Sequence, residues 1–202
     1  MAIPFLGLSE ITLSFAVCSQ RPRNAAATRG AILDAASKRF TGESYDQVGM
    51  RDIAKDVGVD PALISRYFGS KEELFRAVLD DCGNGAELME GDRTTFGERV
   101  AHDLVYGPPK EGKLAWLLLM LRSATSPKAA EIIQRASREG FYQPFTEWVG
   151  GPDAAMRVRI AAGLMMGVAV GRDLTGGLDL PEDQCERMKA RIAIILQGLI
   201  DG

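Results

Sequence analysis

The turn at Gly58 is the feature that most constrains what this chain can fold into. Apolar residues recur with helical spacing on both sides of it, which predicts two short helices joined by a tight connection. Gly58 can adopt the left-handed backbone that ends a helix, because it has no Cβ. Asp60 is a favourable N-cap for the second helix, and Pro61 fits its first turn. Residues 48–75 therefore predict a helix-turn-helix, a motif whose second helix lies in the major groove of DNA.

A longer pattern extends this motif in both directions. Its residues are Phe40, Arg51, Asp52, Ile53, Ala54, Gly58, Val59, Ile64, Tyr67, Phe68, Ser70, Lys71, Glu72 and Leu74. In type and spacing they resemble the DNA-binding domain of the tetracycline-repressor (TetR) family, and the Gly-Val turn followed by Tyr-Phe-x-Ser-Lys-Glu is the most specific part. The resemblance implies an all-α protein, with an N-terminal three-helix helix-turn-helix domain followed by a helical ligand-binding and dimerisation domain.

Helical periodicity continues to the end of the chain, and no segment alternates with the period of a strand. Breaks at Gly and Pro delimit the predicted helices, which cover about 25–40, 50–57, 61–68, 70–82, 95–106, 111–124, 126–149, 153–174 and 181–200. Ser70 and Glu73 predict a capping box at the start of the fourth helix. The predicted domains are a disordered extension over 1–24, a DNA-binding domain over 25–70, and an effector-binding and dimerisation domain over 71–202.

The extension has an alternative interpretation as an N-terminal arm, in which Arg21 and Arg23 would touch DNA. Its apolar run from Ile11 to Cys18 is too short to span a membrane, and Glu10 stands where a signal peptide has basic residues. We therefore expect no membrane partner and a cytoplasmic protein.

Charge and cysteine content exclude several other classes. The net charge of −3 does not indicate nucleic-acid binding, but residues 21–71 contain nine Lys and Arg against six Asp and Glu. Three scattered cysteines and the single His102 give no metal-binding spacing and no disulfide framework. No phosphate loop and no nucleophile–base pair is found, so we predict neither a cofactor nor an enzymatic activity.

The second helix of the motif and its flanks supply the DNA-binding candidates. These are Arg51, Pro61, Ala62, Leu63, Ser65, Arg66, Tyr67 and Lys71. Arg66 could donate a bidentate pair to a guanine, and its alternative is a solvated surface charge. The resemblance implies that Arg51, Lys71 and the Tyr67 hydroxyl contact the DNA backbone. It also reveals a departure at Gly49, where the family usually has a Ser or Thr cap.

The remaining helices supply the dimer and effector predictions. Gly163, Gly167 and Gly171 place small residues on one helix face, where another helix can approach closely. The resemblance implies that the last two helices pair with their copies in a four-helix bundle, and that a small-molecule pocket lies within this domain. Pocket candidates are Phe96, His102, Trp116, Met120, Phe141, Phe145, Trp148 and Met165. The apolar candidates could instead be core residues, and His102 could instead be a surface residue.

The resulting prediction is a homodimeric DNA-binding transcription regulator, acting as a repressor that an unknown small-molecule effector releases from a palindromic operator. The alternative is a protein-binding helical module that retains the helix-turn-helix only as a scaffold. DNA affinity with a steep salt dependence distinguishes the two, because phosphate contacts release counterions.

Overall fold

A computed structural model describes residues 21–83, 85–108 and 111–202, with the backbone alone described at 21–24 and 111–114. Within those ranges it contains ten α-helices and no strand, which confirms the predicted fold class. They are α1 (Arg21–Gly42), α2 (Met50–Val57), α3 (Pro61–Phe68), α4 (Lys71–Asp81), α5 (Phe96–Val105), α6 (Glu111–Ser123), α7 (Pro127–Ser137), α8 (Gln143–Val149), α9 (Ala154–Thr175) and α10 (Glu182–Asp201). The predictions made for residues 1–20 lie outside the described part of the chain.

Two helix boundaries differ from the prediction. Within the described residues, the first helix already includes Arg21 and Arg23, which therefore lie on the helix instead of preceding it. The helix predicted over 126–149 is interrupted by a π-helical turn, Arg138–Tyr142, in which the N–H of Gln143 donates to the carbonyl of Arg138. Pro144 explains the turn, because it has no N–H and its ring would collide with the carbonyl four residues earlier.

The helix-turn-helix shares its apolar core with two later helices. Phe40 of α1 contacts Phe75 of α4 at a centroid distance of 4.8 Å, and the Tyr45 ring stacks on Phe40 and meets Phe75 edge-on. Leu119 of α6 and Ile132 of α7 are buried in the same cluster. The motif is therefore supported from behind by α6 and α7, which gives these helices a direct mechanical connection to the DNA-binding surface.

A second apolar core joins α5 and α8 to the two long C-terminal helices. Its members include Phe96, Phe145, Val158, Met165 and Leu196, all of which are buried. Most of the contacts of α5 are with α10, and Gly97 allows their close approach: a Cβ there would stand 2.2 Å from the carbonyl oxygen of Ala193. This core is the part of the chain in which the sequence predicts a ligand site.

Three arginines close the ends of these helices. Arg157 donates to the carbonyls of Gly150 and Leu199, at 2.6 and 2.9 Å, and Arg172 donates to those of Leu104 and Gly107, at 2.8 and 2.9 Å. Arg93 similarly bonds the carbonyls of Trp148, Val149 and Ile200. The last carbonyls of a helix have no partner within it, so these guanidinium groups satisfy α5, α8 and α10.

The same arginines decide how α9 is interpreted. By length and hydropathy alone, α9 resembles a membrane span. Arg157 and Arg172, near its two ends, are each only 8% exposed and are bonded to carbonyls of neighbouring helices. Since one face of α9 also lies in the second core, we interpret it as a core helix of the folded domain.

Candidate nucleic-acid interface and effector region

The turn between α2 and α3 has the predicted geometry. Gly58 has φ of 74° and ψ of 34°, and its neighbour Val59 donates to the carbonyl of Ala54 at 2.9 Å. The Asp60 carboxylate accepts from the N–H of Ala62 at 2.7 Å, which caps α3, and Pro61 occupies its first turn. These local bonds fix the angle at which α3 leaves the turn.

The two faces of α3 differ sharply in exposure. Ile64 and Phe68 are buried in the first core, and Leu63 and Tyr67 are half-buried. The exposed side chains are those of Pro61, Ala62, Ser65 and Arg66. Of the α3 residues predicted to contact bases or the DNA backbone, all but Leu63 and Tyr67 are therefore exposed. The helix presents one continuous outward surface.

A bidentate ion pair holds α2 against α1. The Arg39 guanidinium donates through Nε and Nη2 to the two carboxylate oxygens of Asp56, at 2.6 and 2.9 Å, and also bonds Glu43. The hydrogen bond from Arg39 holds the pKa of Asp56 below its usual value. Arg39 is thus engaged within the protein, whereas Arg51 and Arg66 form no ion pair or hydrogen bond among the described residues.

The first turn of α2 and the first turn of α4 carry the predicted backbone-contacting cations. Arg51 is exposed on α2, whose N-cap, Gly49, makes no side-chain hydrogen bond to the helix. Lys71 is half-buried, with its Nζ 4.4 Å from the centroid of the Tyr45 ring. Burial lowers the pKa of Lys71 from its ordinary value. A contact between Lys71 and DNA would therefore be made from the rim of the core rather than from open solvent.

A second cation–ring contact involves Phe68. The Arg29 guanidinium of α1 lies 4.7 Å from the centroid of that ring, beside the C-terminal end of α3. No sequence motif indicates the contacts of Arg29, Arg39 or Asp56. Their partners are 17 or more residues away, and only the packing of α1 on α2 and α3 reveals the pairing.

The eight predicted pocket residues do not form one site. Five of them, Phe96, Phe141, Phe145, Trp148 and Met165, belong to the second core. Trp116 and Met120 pack instead against the first core, beside α1 and α4. His102 is exposed on α5 with its ring 5.5 Å from that of Tyr106, so its prediction as an interior contact is corrected: it lies on the outer face of the helix.

Four of the five co-located residues form an aromatic cluster, defined here as Phe96, Phe141, Phe145 and Trp148. Adjacent ring centroids are 5.5 to 5.9 Å apart. Segment 85–95, which connects α4 to α5 through two 3₁₀ turns, packs on the cluster, and a Cβ added at Gly85 would stand 2.9 Å from the Phe141 ring. Aromatic side chains commonly line small-molecule sites.

Two open clefts lie elsewhere on the surface. One, of about 330 Å³, runs along α10 between Leu180 and Ile195. The other, of about 520 Å³, lies between Tyr106 and the loop that precedes α10, with Arg172 and Cys185 at its base. Neither is lined by any of the predicted pocket residues.

These features together define a class of protein, a helix-turn-helix DNA-binding protein with a separate helical region behind the motif. Comparison with protein families gives the particular family. The model described as "Bacterial regulatory proteins, tetR family" matches residues 32–78, and "Tetracyclin repressor-like, C-terminal domain" matches residues 94–200. The chain belongs to the TetR family. This confirms the predicted family and, with it, the class of transcription regulator rather than enzyme.

Characterised relatives resemble parts of the chain. The transcriptional repressor Rv3405c of Mycobacterium tuberculosis is 33% identical over 89 residues, which are 39% of this chain and 47% of that protein. The transcriptional regulator BetI of Rhizobium meliloti is 43% identical over 51 residues, a quarter of each chain. The chain thus matches less than half the length of these relatives.

Solved structures resemble it over most of its length. NalD of Pseudomonas aeruginosa, the secondary repressor of a multidrug efflux pump, aligns with a TM-score of 0.62 and 20% identity, over 83% of this chain and 95% of its own. GusR of Salmonella enterica aligns with a TM-score of 0.62 and 17% identity, over 87% and 96%. At these identities the comparison establishes the shared fold.

Proposed function

We propose that this chain is a cytoplasmic homodimeric repressor that binds a palindromic operator through α3 and leaves it when a small-molecule effector binds the second core. The observation that carries the proposal is the outward surface of α3 on a rigidly capped turn. Arg66 is free to donate a bidentate pair to a guanine there, which would contribute roughly 1–3 kcal/mol of discrimination. Pro61, Ala62, Leu63 and Ser65 complete the surface that faces the bases.

Backbone contacts are assigned to Arg51, Lys71 and the hydroxyl of Tyr67. Arg51 lies beside the N-terminus of α2, where free N–H groups and the helix dipole favour a phosphate. These contacts supply affinity and register but no sequence information. Replacing Arg51 by Ala should weaken binding to all DNA sequences similarly, and should reduce the slope of log affinity against log salt by about one.

Dimerisation is assigned to one apolar surface, which we call the dimer face: Met156, Ile160 and Leu174 of α9, with Ile194 and Ile195 of α10. Each of these side chains is at least half exposed. Gly163, Gly167 and Gly171 lie between them, and a Cβ on any of the three would meet no described atom within 4 Å. Burying this face against its copy would remove exposed apolar area from water. A dimer is also what the reading of two half-sites about 34–36 Å apart requires.

Effector release is assigned to the packing between α4 and the later helices. Arg76 of α4 pairs with Glu139 of the π-helical turn at 3.2 Å, and α4 packs directly on α7. A ligand in the aromatic cluster would act next to this turn and so change the position of α4. The relative Rv3405c, itself described as a repressor, supports repression rather than activation.

Fluorescence anisotropy tests the proposal. The purified chain is titrated onto DNA from just upstream of its own gene and onto scrambled DNA, each at two salt concentrations. Selective, salt-sensitive binding that Arg66→Ala makes less selective is the expected result. Equal weak binding to both DNAs at both salt concentrations would instead favour the protein-binding module that keeps the motif as a scaffold.

A further inference from the structure

The buried polar groups of the second core are satisfied, with one exception on α5. Among the described residues, the only buried side-chain nitrogen or oxygen atoms without a hydrogen-bond partner are Nε and Nη2 of Arg99 and Oγ of Ser123. Arg93, Arg157 and Arg172 each bond carbonyl oxygens instead. A guanidinium whose N–H groups are removed from water and left unpaired is costly, so this arrangement requires an explanation.

The two unpaired atoms of Arg99 have a specific geometry. Nε and Nη2 form one edge of the guanidinium, and their N–H groups point in nearly parallel directions. That edge matches the two oxygens of a carboxylate, which it can bind bidentately. The Asp92 carboxylate interacts electrostatically with Arg99, but its Oδ1 already accepts from the N–H and the hydroxyl of Thr94, both at 2.9 Å.

Segment 85–95 covers the face of the same guanidinium. A Cβ added at Gly91 would stand 3.3 Å from Cζ of Arg99, 3.5 Å from Nε and 3.6 Å from Nη2. Because Cζ is the nearest of these atoms, Gly91, with φ of 86°, lies over the plane of the guanidinium rather than beyond its Nε–Nη2 edge. Displacement of segment 85–95, which connects α4 to α5, would uncover the guanidinium for a ligand.

The aromatic cluster lies next to the same arginine. Phe96 precedes Arg99 by three residues on α5, a spacing that puts two side chains on neighbouring positions of a helix surface. The same covering segment reaches the ring of Phe141 at Gly85 and the guanidinium of Arg99 at Gly91. A single ligand beneath it could thus contact apolar rings at one end and two N–H donors at the other.

We propose that Arg99 is the anchor of the effector site and that the effector is a carboxylate joined to an apolar body. The carboxylate accepts from Nε and Nη2, and the apolar body lies against the aromatic cluster beneath segment 85–95. This inference rests on the proposed function, because it names the chemical class of the effector. It predicts that charge, and not apolar area alone, determines which molecules bind.

Thermal unfolding and tryptophan fluorescence test the anchor with defined probes. The probes are 2-naphthoate and decanoate, each compared with its neutral amide, and inorganic phosphate. A Trp116→Phe background leaves Trp148 of the aromatic cluster as the remaining tryptophan. We expect a carboxylate, but not its amide or phosphate, to raise Tm and change the Trp148 emission.

Variants at Arg99 separate anchoring from packing. Arg99→Met should weaken carboxylate binding by roughly 10- to 100-fold without lowering Tm in the absence of ligand, since no internal hydrogen bond is lost. Arg99→Lys should be intermediate, because it keeps the charge but not the paired donors. Arg135→Met, which removes an exposed arginine of α7, is the matched control and should bind as the unsubstituted protein does.

Several outcomes would overturn the inference. These are equal binding of acid and amide, no stabilisation by either carboxylate, binding of phosphate alone, or an Arg99→Met protein that binds carboxylate normally or unfolds at a much lower temperature. None of them bears on operator binding, which anisotropy measures without ligand. Conversely, carboxylate binding to a protein that shows no DNA selectivity would leave the anion site in place and contradict the proposed function.

Discussion

Ser126 Oγ donates a hydrogen bond of 3.0 Å to the Asp46 carboxylate, which joins the N-cap of α7 to the loop that precedes α2. Ser126 is almost fully buried, and its oxygen also accepts from the N–H of Ala129. One hydroxyl therefore connects the helix-turn-helix to a helix of the effector region. Movement of the first turn of α7 would be transmitted to the entry of α2 through this bond.

Replacing Ser126 by Ala should lower the free energy of unfolding by about 1 kcal/mol or more. The substitution removes a helix cap and leaves the N–H of Ala129 buried without its acceptor. Urea unfolding measures the change, and Ser126→Thr, which keeps the hydroxyl, should lose less. An alanine variant as stable as the unsubstituted protein would show that the bond does not contribute to stability.

Alkaline pH should destabilise the first core through Tyr45. Burial raises the pKa of Tyr45 from 10.0 to about 12, so the unfolded chain releases this proton at a lower pH than the folded one. The stabilisation from the neutral hydroxyl is complete below pH 10 and is lost as the pH rises towards about 12. The fall in Tm between pH 9 and pH 11.5 should thus be smaller in Tyr45→Phe. Equal falls in both proteins would refute the assignment to Tyr45.

Restoring a hydroxyl at Gly49 should strengthen DNA binding. A serine there can contact a phosphate, whereas the glycine cap has no side chain to do so. Its Cβ would stand 2.6 Å from Oδ2 of Asp52, the flexible end of a side chain that can rotate away. We expect Gly49→Ser to raise operator affinity several-fold while stability changes by only a few tenths of a kcal/mol. Gly49→Ala serves as the control, and an equal gain in both variants would exclude the hydroxyl as the cause.

Introducing a charge into the dimer face should produce monomers. Ile194 is 74% exposed on α10, and Leu121 is 64% exposed on α6, outside the dimer face. Light scattering after size exclusion should therefore find Ile194→Glu monomeric and Leu121→Glu dimeric, because a buried unpaired carboxylate opposes association. The same mass for both variants, whether monomer or dimer, would contradict this choice of interface.

Substitution at Gly167 distinguishes a helix crossing from a simple surface position. In the single chain, a Cβ at this position meets no described atom within 4 Å, and a helical Gly→Ala change stabilises by up to about 1 kcal/mol. Gly167→Leu should accordingly fold normally but weaken the dimer if helix backbones approach there. An unchanged dimerisation constant would show that the helices do not cross at Gly167.

The sequence predicted what depends on neighbouring residues. The αL turn at Gly58, the Asp60 cap and the Ser70–Glu73 capping box are all present. Each depends on hydrogen bonds between residues at most five apart in the sequence. The resemblance to the family also predicted that the three-helix DNA-binding domain precedes the other helices. Pro144 could have indicated the π-helical turn, but apolar periodicity continues through it, so a single helix was predicted.

What depends on tertiary packing could not be predicted from the sequence. Trp116 and Trp148 both lie within predicted helices, yet they belong to different cores, because α6 packs on α1 while α8 packs beside α9. Arg99 looked like any helix-surface arginine, and only the segment that covers it makes its Nε and Nη2 unusual. Helical periodicity assigns a residue to a face but does not identify the helix that will cover that face.

Selection of binding sites from random duplex DNA tests whether the chain is a dimer that reads DNA through α3. The purified protein is mixed with a randomised library at moderate salt, and bound DNA is amplified through several rounds. We expect an enriched inverted repeat whose half-sites are one helical turn, or a multiple of it, apart. Arg66→Ala should relax the preference at one position of each half-site. Enrichment of no sequence, or of an unrepeated half-site, would contradict this expectation.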